Sequence, residues 1–203
     1  ASSGAARRRS ARLESLLQTC YTECRQFIQQ KGSVVFMALH SVPYDSLALN
    51  PFTKLGQEWA LVTAGDASGF NTMTVSWGAL GYIWNKPTVT VYIRPQRYTK
   101  EFLDSGDTFT LSFYPAALKP TLGYLGKASG RSENKVEKSG LTPVFANGSV
   151  YFEESELVLV CRKLSRTPLP ASNFIDGAID GKFYPEKDYH EMYIAVITDV
   201  LVK

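Results

Sequence analysis

The stretch "NTMTVSWGALGYIW", Asn71 to Trp84, decides how this chain is read. Thr72, Thr74 and Ser76 alternate with Met73, Val75 and Trp77, and a period of two is the signature of a β-strand with two chemically different faces. Two explanations fit a row of hydroxyls on one side. One is a half-buried strand with a wet face, which is common for threonine. The other is a strand whose polar face, with its hydroxyls and nearby amides, holds something flat and rich in heteroatoms.

The neighbouring segments extend the strand pattern. "EWALVTAG" (58–65), "TMTVSWG" (72–78), "TVTVYIRP" (88–95) and "DTFTLSFY" (107–114) are short, β-branched or aromatic, and bounded by Gly, Pro or Asp. In the third, Val89, Val91 and Ile93 face one way, while Thr88, Thr90, Tyr92 and Arg94 face the other. Phe109, Leu111 and Phe113 repeat the device against Thr108, Thr110 and Ser112. "ELVLVCRKL" (156–164) and "MYIAVITDVLV" (192–202) add late strands, with short helices expected over 98–105, 116–125 and 131–139. Closely spaced strands with brief helical inserts predict a mainly β protein, an antiparallel barrel and not a series of βαβ units.

Composition narrows the partners. The net charge of +3 is unevenly placed, because Arg7, Arg8, Arg9, Arg12, Arg25 and Lys31 give residues 1–36 a surplus that the remainder lacks. A basic face for nucleic acid is therefore not expected on the body. No apolar run reaches the ~18–20 residues of a membrane-crossing helix, so no membrane partner is expected. Cys20, Cys24 and Cys161 form no disulfide framework, and with His40 and His190 they give no metal-ligand spacing. Three unpatterned cysteines suit a reducing, cytoplasmic setting. Residues 1–36 are set apart from a domain at 37–203 by their charge and by helical spacing from Leu13 to Ile28. An organelle transit peptide, an upstream segment before Met37 and a structural helix all remain open for them.

Two further clusters carry chemistry. In "YIRPQRYTKEF" Arg94 ends a strand, Pro95 breaks it, and Tyr98–Thr99 open a helix. Arg94, Arg97 and Thr99 would make a phosphate cradle there, or a surface turn with solvated arginines. In "KASGRSENK" Ser129, Gly130, Arg131 and Lys135 form a cationic turn that meets a second anionic group or decorates a loop. Neither has the spacing of a nucleotide P-loop or of a dinucleotide-binding turn. There is no G-x-S-x-G elbow, and His190 reads as structural or ligand-neighbouring, so no catalytic acid or base is named.

Taken in order, "NTMTVSWG", "RPQRYT", "SGR" and "YPEKDYHEMYIAVI" resemble the flavin reductase-like family of FMN-binding split-barrel proteins, including flavoredoxins. The resemblance spans about Asn50 to Lys203. It implies a six-stranded antiparallel split barrel that forms a homodimer and binds FMN near the subunit interface. It implies a flavin ring against Asn71, Thr72, Met73, Thr74, Ser76, Trp77 and Gly78. It also implies a phosphate near Arg94, Arg97, Tyr98 and Thr99, with help from Ser129, Arg131 and Lys135. Met73, Val75 and Trp77 would pack the barrel, Trp77 having the alternative of flanking the ring. The implied activity passes electrons from NAD(P)H through the flavin to a flavin or protein acceptor. The alternatives are a flavoredoxin-like carrier without direct NAD(P)H turnover, or a flavin-binding module without redox work.

Overall fold

The computed structural model describes residues 38–146 and 148–203. The readings made above for residues 1–36, including Cys20 and Cys24, lie outside the described residues. Ten strands and five short α-helices are formed in the described part. In chain order they are β1 His40–Ser41, α1 Pro51–Thr53 (continued by a π-turn, Lys54–Glu58), β2 Ala60–Asp66, β3 Gly69–Val75, β4 Gly78–Ile83 and β5 Lys86–Ile93. There follow α2 Thr99–Ser105, β6 Thr108–Phe113, α3 Lys119–Lys127, α4 Lys135–Ser139, β7 Pro143–Ala146, β8 Ser149–Phe152, β9 Leu157–Pro168, α5 Ala178–Phe183 and β10 Glu191–Val202.

The main sheet runs β3-β2-β6-β9-β10-β5-β4, with β1 added on β10, and every pairing is antiparallel. Its two end strands, β3 and β4, are consecutive in sequence yet do not pair. The chain crosses between them through Ser76 and Trp77, so the opening of the barrel lies inside the stretch quoted first. Alternation fills the interior. Met73 and Val75 of β3, Val89, Val91 and Ile93 of β5, and Phe109, Leu111 and Phe113 of β6 share one core with Leu159, Cys161 and Tyr193. Burial of the Cys161 thiol pushes its pKa up, which keeps it an inert core group.

A second core explains an expectation that changes. Leu61, Tyr114, Leu122, Leu125, Leu141 and Phe152 cluster on the other side of β2, beneath α3 and the β7–β8 hairpin. The face of β2, β3 and β6 that carries hydroxyls is thus covered, not wet. Thr63, Thr72, Thr110 and Ser112 are all fully buried. The three covered threonine hydroxyls find partners locally: Thr110 donates to the Val150 carbonyl, and Thr72 donates to the Val62 carbonyl while meeting the Thr63 hydroxyl at 2.9 Å.

The main sheet has eight strands among the described residues, where six were expected. β4 escaped because "GALGYI" has two glycines and no buried face, being an edge strand with exposed residues at most positions. β1 has only two residues, and β7 and β8 have four each. Helix 131–139 contracts to Lys135–Ser139, and 116–125 becomes a short 3₁₀ turn followed by Lys119–Lys127. The strand expected at 72–78 is β3, Gly69–Val75. A two-residue turn, Ala67–Ser68, extends its start, and departure into the split ends it early.

Candidate functional site

The site grows from the point where β3 stops. Ser76 and Trp77 fall outside both the β2–β3 and the β4–β5 ladders. Among the described residues the Ser76 hydroxyl has no hydrogen-bond partner, in contrast to Thr72 and to Thr74, whose hydroxyl donates to the Leu122 carbonyl of α3. The end of the hydroxyl row, and not the whole row, is thus free for a ligand. Trp77 does not pack the barrel as one reading had it. It is 44% exposed and lies edge-on to Phe183 at 5.6 Å and tilted on His190 at 5.2 Å. The alternation that would have turned it inward ends at Val75. Gly78 follows because β4 crosses tightly over β5, where a Cβ would stand 2.8 Å from the Thr90 carbonyl oxygen.

Three cavities flank β3 and this crossover. The smallest, about 170 Å³, is lined by Met73, Thr74, Ser76, Trp77, Arg94, Arg97 and His190. A neighbour of about 610 Å³ shares Ser76, Trp77 and Tyr92 with it. The largest, about 800 Å³, lies toward the start of β3 and includes Asn71, Tyr98, Gly130, Arg131 and Lys135.

The cations around β3 differ in how they are held. Arg94 is ion-paired to Asp188, donates to the Phe183 carbonyl at 2.9 Å, and lies 5.1 Å over the Tyr184 ring. Burial works to raise the Asp188 pKa, but bonds from Gln96 and Arg94 outweigh it and hold the carboxyl below its ordinary value. Arg131 is exposed, pairs with Glu101, donates to the Gln96 carbonyl and covers the Tyr98 ring. Arg97 and Lys135 are the exceptions. Among the described residues neither has a carboxylate within ion-pair distance. Arg97 donates to the Gly126 carbonyl at 2.9 Å, and Lys135 donates to the Leu125 and Ala128 carbonyls at 3.0 and 3.1 Å. Those acceptors sit at the C-terminal end of α3, where helix carbonyls lack internal partners and a cation is favoured. The bonds satisfy the carbonyls but leave both cations without a direct ion pair. Lys135 is only 4% exposed. Burial, then the charge of Arg97, pushes its pKa down to about 8; the nearby acid Glu133 already holds Lys138.

Asn71 and Thr99 complete that end. Both are buried, and the Asn71 amide donates to the Thr99 hydroxyl at 2.8 Å. Ser129 is exposed and its hydroxyl accepts from the Arg131 amide, shaping the turn. The glycine of this turn is required by proximity, since a Cβ on Gly130 would stand 2.5 Å from Asn71 Oδ1 and 2.9 Å from the Tyr98 ring. Of the residues singled out in the sequence, Thr74, Ser76, Trp77, Arg94 and Arg97 therefore line a cavity at one end of β3, and Arg97 also reaches the C-terminal end of α3 that Lys135 binds. Asn71, Tyr98, Thr99, Ser129, Arg131 and Lys135 meet at the other. The Thr72 side chain reaches neither cavity, because the second core covers it.

Sequence reasoning left Asp188 and Tyr184 out of the site and read His190 only as structural or ligand-neighbouring. The Tyr184 hydroxyl meets His190 Nδ1 at 2.8 Å, and burial, then the charge of Arg94, pushes the His190 pKa down to about 4. It is a neutral hydrogen-bonding group at physiological pH. The crowded "YPEKDYHEMY" (184–193) was the available signal, but only the return of β10 beside β5 brings it to Trp77.

The family model described as "Flavin reductase like domain" matches residues 52–203. The chain belongs to the flavin reductase-like family. Solved structures with this fold include flavoredoxin from Methanosarcina acetivorans, at 18% identity and TM-score 0.57 over 72% of this chain and 68% of that one. An FMN-binding domain of a flavin reductases-like enzyme from Shewanella baltica OS155 aligns at 16% identity and TM-score 0.59, over 81% and 76%. Flavoredoxin of Desulfovibrio vulgaris (Miyazaki F) aligns at 20% identity and TM-score 0.56, over 85% and 75%. No curated protein matches the chain. Family membership makes this a protein of flavin-related oxidoreductase kind, and the fold is the split barrel of the family. Among the described residues no helix is long and apolar enough to cross a membrane, and no cluster of three potential metal ligands occurs.

A flavin mononucleotide fits the donor set on chemical grounds. Its ring needs a slot with unpaired donors beside aromatic surface, which Ser76, Trp77 and His190 present. Its phosphate needs cations not already ion-paired, which Arg97 and Lys135 are among the described residues. From Asn71 to Ser76 is about 17 Å of extended strand, room enough for ring and phosphate to bind at separate points along it.

Proposed function

We propose that this protein is an FMN-binding oxidoreductase of flavin reductase type, passing electrons from NAD(P)H to a flavin or protein acceptor. The observation that carries the FMN reading is the pair Arg97 and Lys135, which have no ion-pair partner among the described residues, beside a barrel opening with unpaired donors. Arg94 is less suited to the phosphate than its place in the sequence implied, because Asp188 already neutralises it.

When bound, the flavin supplies the hydride and electron chemistry. The chain's own residues bind, orient and exclude water. Ser76 and the amides of Ser76 and Trp77 face the polar edge of a ring placed at the split. Neutral His190, fixed by Tyr184, offers Nε2 to the same slot. Trp77 and Phe183 shield it from solvent. Arg97 and Lys135 anchor the phosphate, with Asn71, Thr99 and the Ser129–Arg131 turn closing around it. Charge-assisted bonds of this kind contribute roughly 1.5–3 kcal/mol each. No side chain is assigned as an acid or base.

A yellow purified protein whose visible flavin band bleaches on adding NADH or NADPH is the expected outcome. Bleaching only by dithionite or a reduced protein favours a flavoredoxin-like carrier. One observation points toward that second reading: the larger cavity beside Trp77 has no cation for the phosphates of a dinucleotide.

We also infer a homodimer in the cytoplasm. The β4 edge leaves Tyr82, Ile83 and Trp84 exposed, and Phe52 is 85% exposed. Stable interfaces of obligate dimers bury on the order of 2,000 Å² or more. Light scattering on the flavin-loaded protein is expected to give twice the chain mass of 22.5 kDa, and a monomer at micromolar concentration contradicts this.

A further inference from the structure

We propose that the 169–190 segment, which joins β9 to β10, is a cover that opens and closes beside the flavin-ring slot, with Arg94 and Gln96 as its latch. Its role toward a flavin rests on the reading above; the latch itself stands on contacts within the chain.

The segment leaves the sheet and returns to it at one point, where the Leu169 amide donates to the His190 carbonyl at 3.0 Å. Between those residues it packs on itself. The Phe174 ring stacks on Tyr184 with centroids 5.6 Å and planes 13° apart, and Tyr189 meets the two rings at 6.1 and 5.1 Å. Asp180 accepts from the Tyr189 hydroxyl at 2.8 Å and pairs with Lys187 at 2.6 Å. Among the described residues neither hydrophobic core takes a side chain from this segment, and Ile175 within it is wholly exposed. A loop whose ends meet and whose own side chains fill it can open as a unit at a lower cost than the barrel.

Its fastening comes from the residues just after β5. Arg94 is ion-paired to one oxygen of Asp188 and donates to the Phe183 carbonyl at 2.9 Å, while Gln96 donates to the second Asp188 oxygen. Arg94 also lines the slot with Trp77 and His190, and Trp77 meets Phe183 edge-on. Release of Arg94 therefore frees the cover at the wall of the slot itself.

These bonds join chain to chain and need no ligand, so Arg94 is a positioning residue that sets how often the slot is open. A ligand that binds the open and closed forms equally does not shift their balance. Entry and exit then both scale with the open fraction, and the affinity stays where it was. That signature separates a latch from a ligand contact, whose loss raises release alone.

The test pairs amide hydrogen exchange on the flavin-free protein with stopped-flow measurement of FMN binding and release. In Arg94→Met the Phe174 and Tyr184 amides, bonded to the Ala171 and Asp180 carbonyls, are expected to exchange faster while those of β9 and β10 do not change. Both FMN rate constants are expected to rise about tenfold, the equivalent of about 1.4 kcal/mol, with the Kd little changed. Gln96→Met is expected to act in the same direction and less, and Arg94→Lys to restore most of the slow exchange. Lys187→Met, which breaks an exposed pair inside the cover, is expected to leave both FMN rates as in the parent. Unchanged amide exchange in both Arg94→Met and Gln96→Met overturns the proposal, as does faster amide exchange with unchanged FMN rates. A rise in the release rate alone, with weaker FMN binding, also overturns it. A protein that takes no FMN refutes the flavin reading alone, because amide exchange still decides whether the latch holds the cover.

Discussion

Arg94 and Lys135 stand beside the same strand, and the sequence offered both as anion ligands. Arg94 ends β5 and meets a carboxylate, so its charge is spent on holding the 169–190 segment. Lys135 begins α4, is almost wholly buried, and meets only carbonyls. A buried charge without a counter-ion is costly, and such a group is retained where a ligand supplies the missing charge. The difference teaches that a cation's partners, and not its proximity to a motif, indicate which site is waiting for an anion.

The largest effect is expected where the two ends of β3 can be separated sterically. Gly130→Val drives a side chain into Asn71 and Tyr98. It should cost about 1–3 kcal/mol of stability through overpacking and abolish FMN binding. Gly81→Val in β4, where a Cβ meets nothing within 4 Å, should stay within about 0.5 kcal/mol of the parent in thermal unfolding.

The next effect is a pH dependence with a fixed sign. The pKa of Lys135 is pushed down to about 8 from an ordinary 10.5. The protonated amine holds a phosphate, so FMN affinity relative to riboflavin should fall as the pH rises beyond about 8, and Lys135→Met should lose that dependence. Without ligand, the penalty for the buried charge is fully present below pH 8. It is relieved as the pH rises from about 8 toward 10.5, because the folded state releases its proton before the unfolded chain does. Denaturant titrations of the parent should therefore show a stability gain in that window that Lys135→Met lacks.

His190 gives a smaller signal in acid. Its folded pKa of about 4 lies below the ordinary 6.5, so stability should decline as the pH falls from about 6.5 to 4, and His190→Gln should flatten that decline. The smallest effect belongs to Arg131→Ala. Its pair with Glu101 is exposed, and such pairs contribute about 0–1 kcal/mol.

Much of the barrel was legible in the sequence because buried strands write their alternation plainly, as in Val89, Val91 and Ile93. β4 was not, since an edge strand without a buried face carries no alternation to read. The site was half legible. The split between β3 and β4 falls inside the motif NTMTVSWG, but nothing local to Thr72 reveals that α3 and the β7–β8 hairpin cover its face. Likewise, the pairing of Arg94 with Asp188 joins residues 94 positions apart, so a cation that looked available in sequence was already taken in space. His190 enters the site only through the β5–β10 pairing.

The central claim is that the phosphate of FMN is held by Arg97 and Lys135 and not by Arg94. Fluorescence titration of FMN and riboflavin against Arg97→Ala, Lys135→Met and Arg94→Met tests it most directly. The first two variants should weaken FMN by about 10- to 150-fold, the value of one hydrogen bond to a charged group, and leave riboflavin nearly unchanged. Arg94→Met should alter both flavins alike and only slightly. A selective loss of FMN in Arg94→Met, with Arg97→Ala and Lys135→Met treating the two flavins equally, would contradict the account.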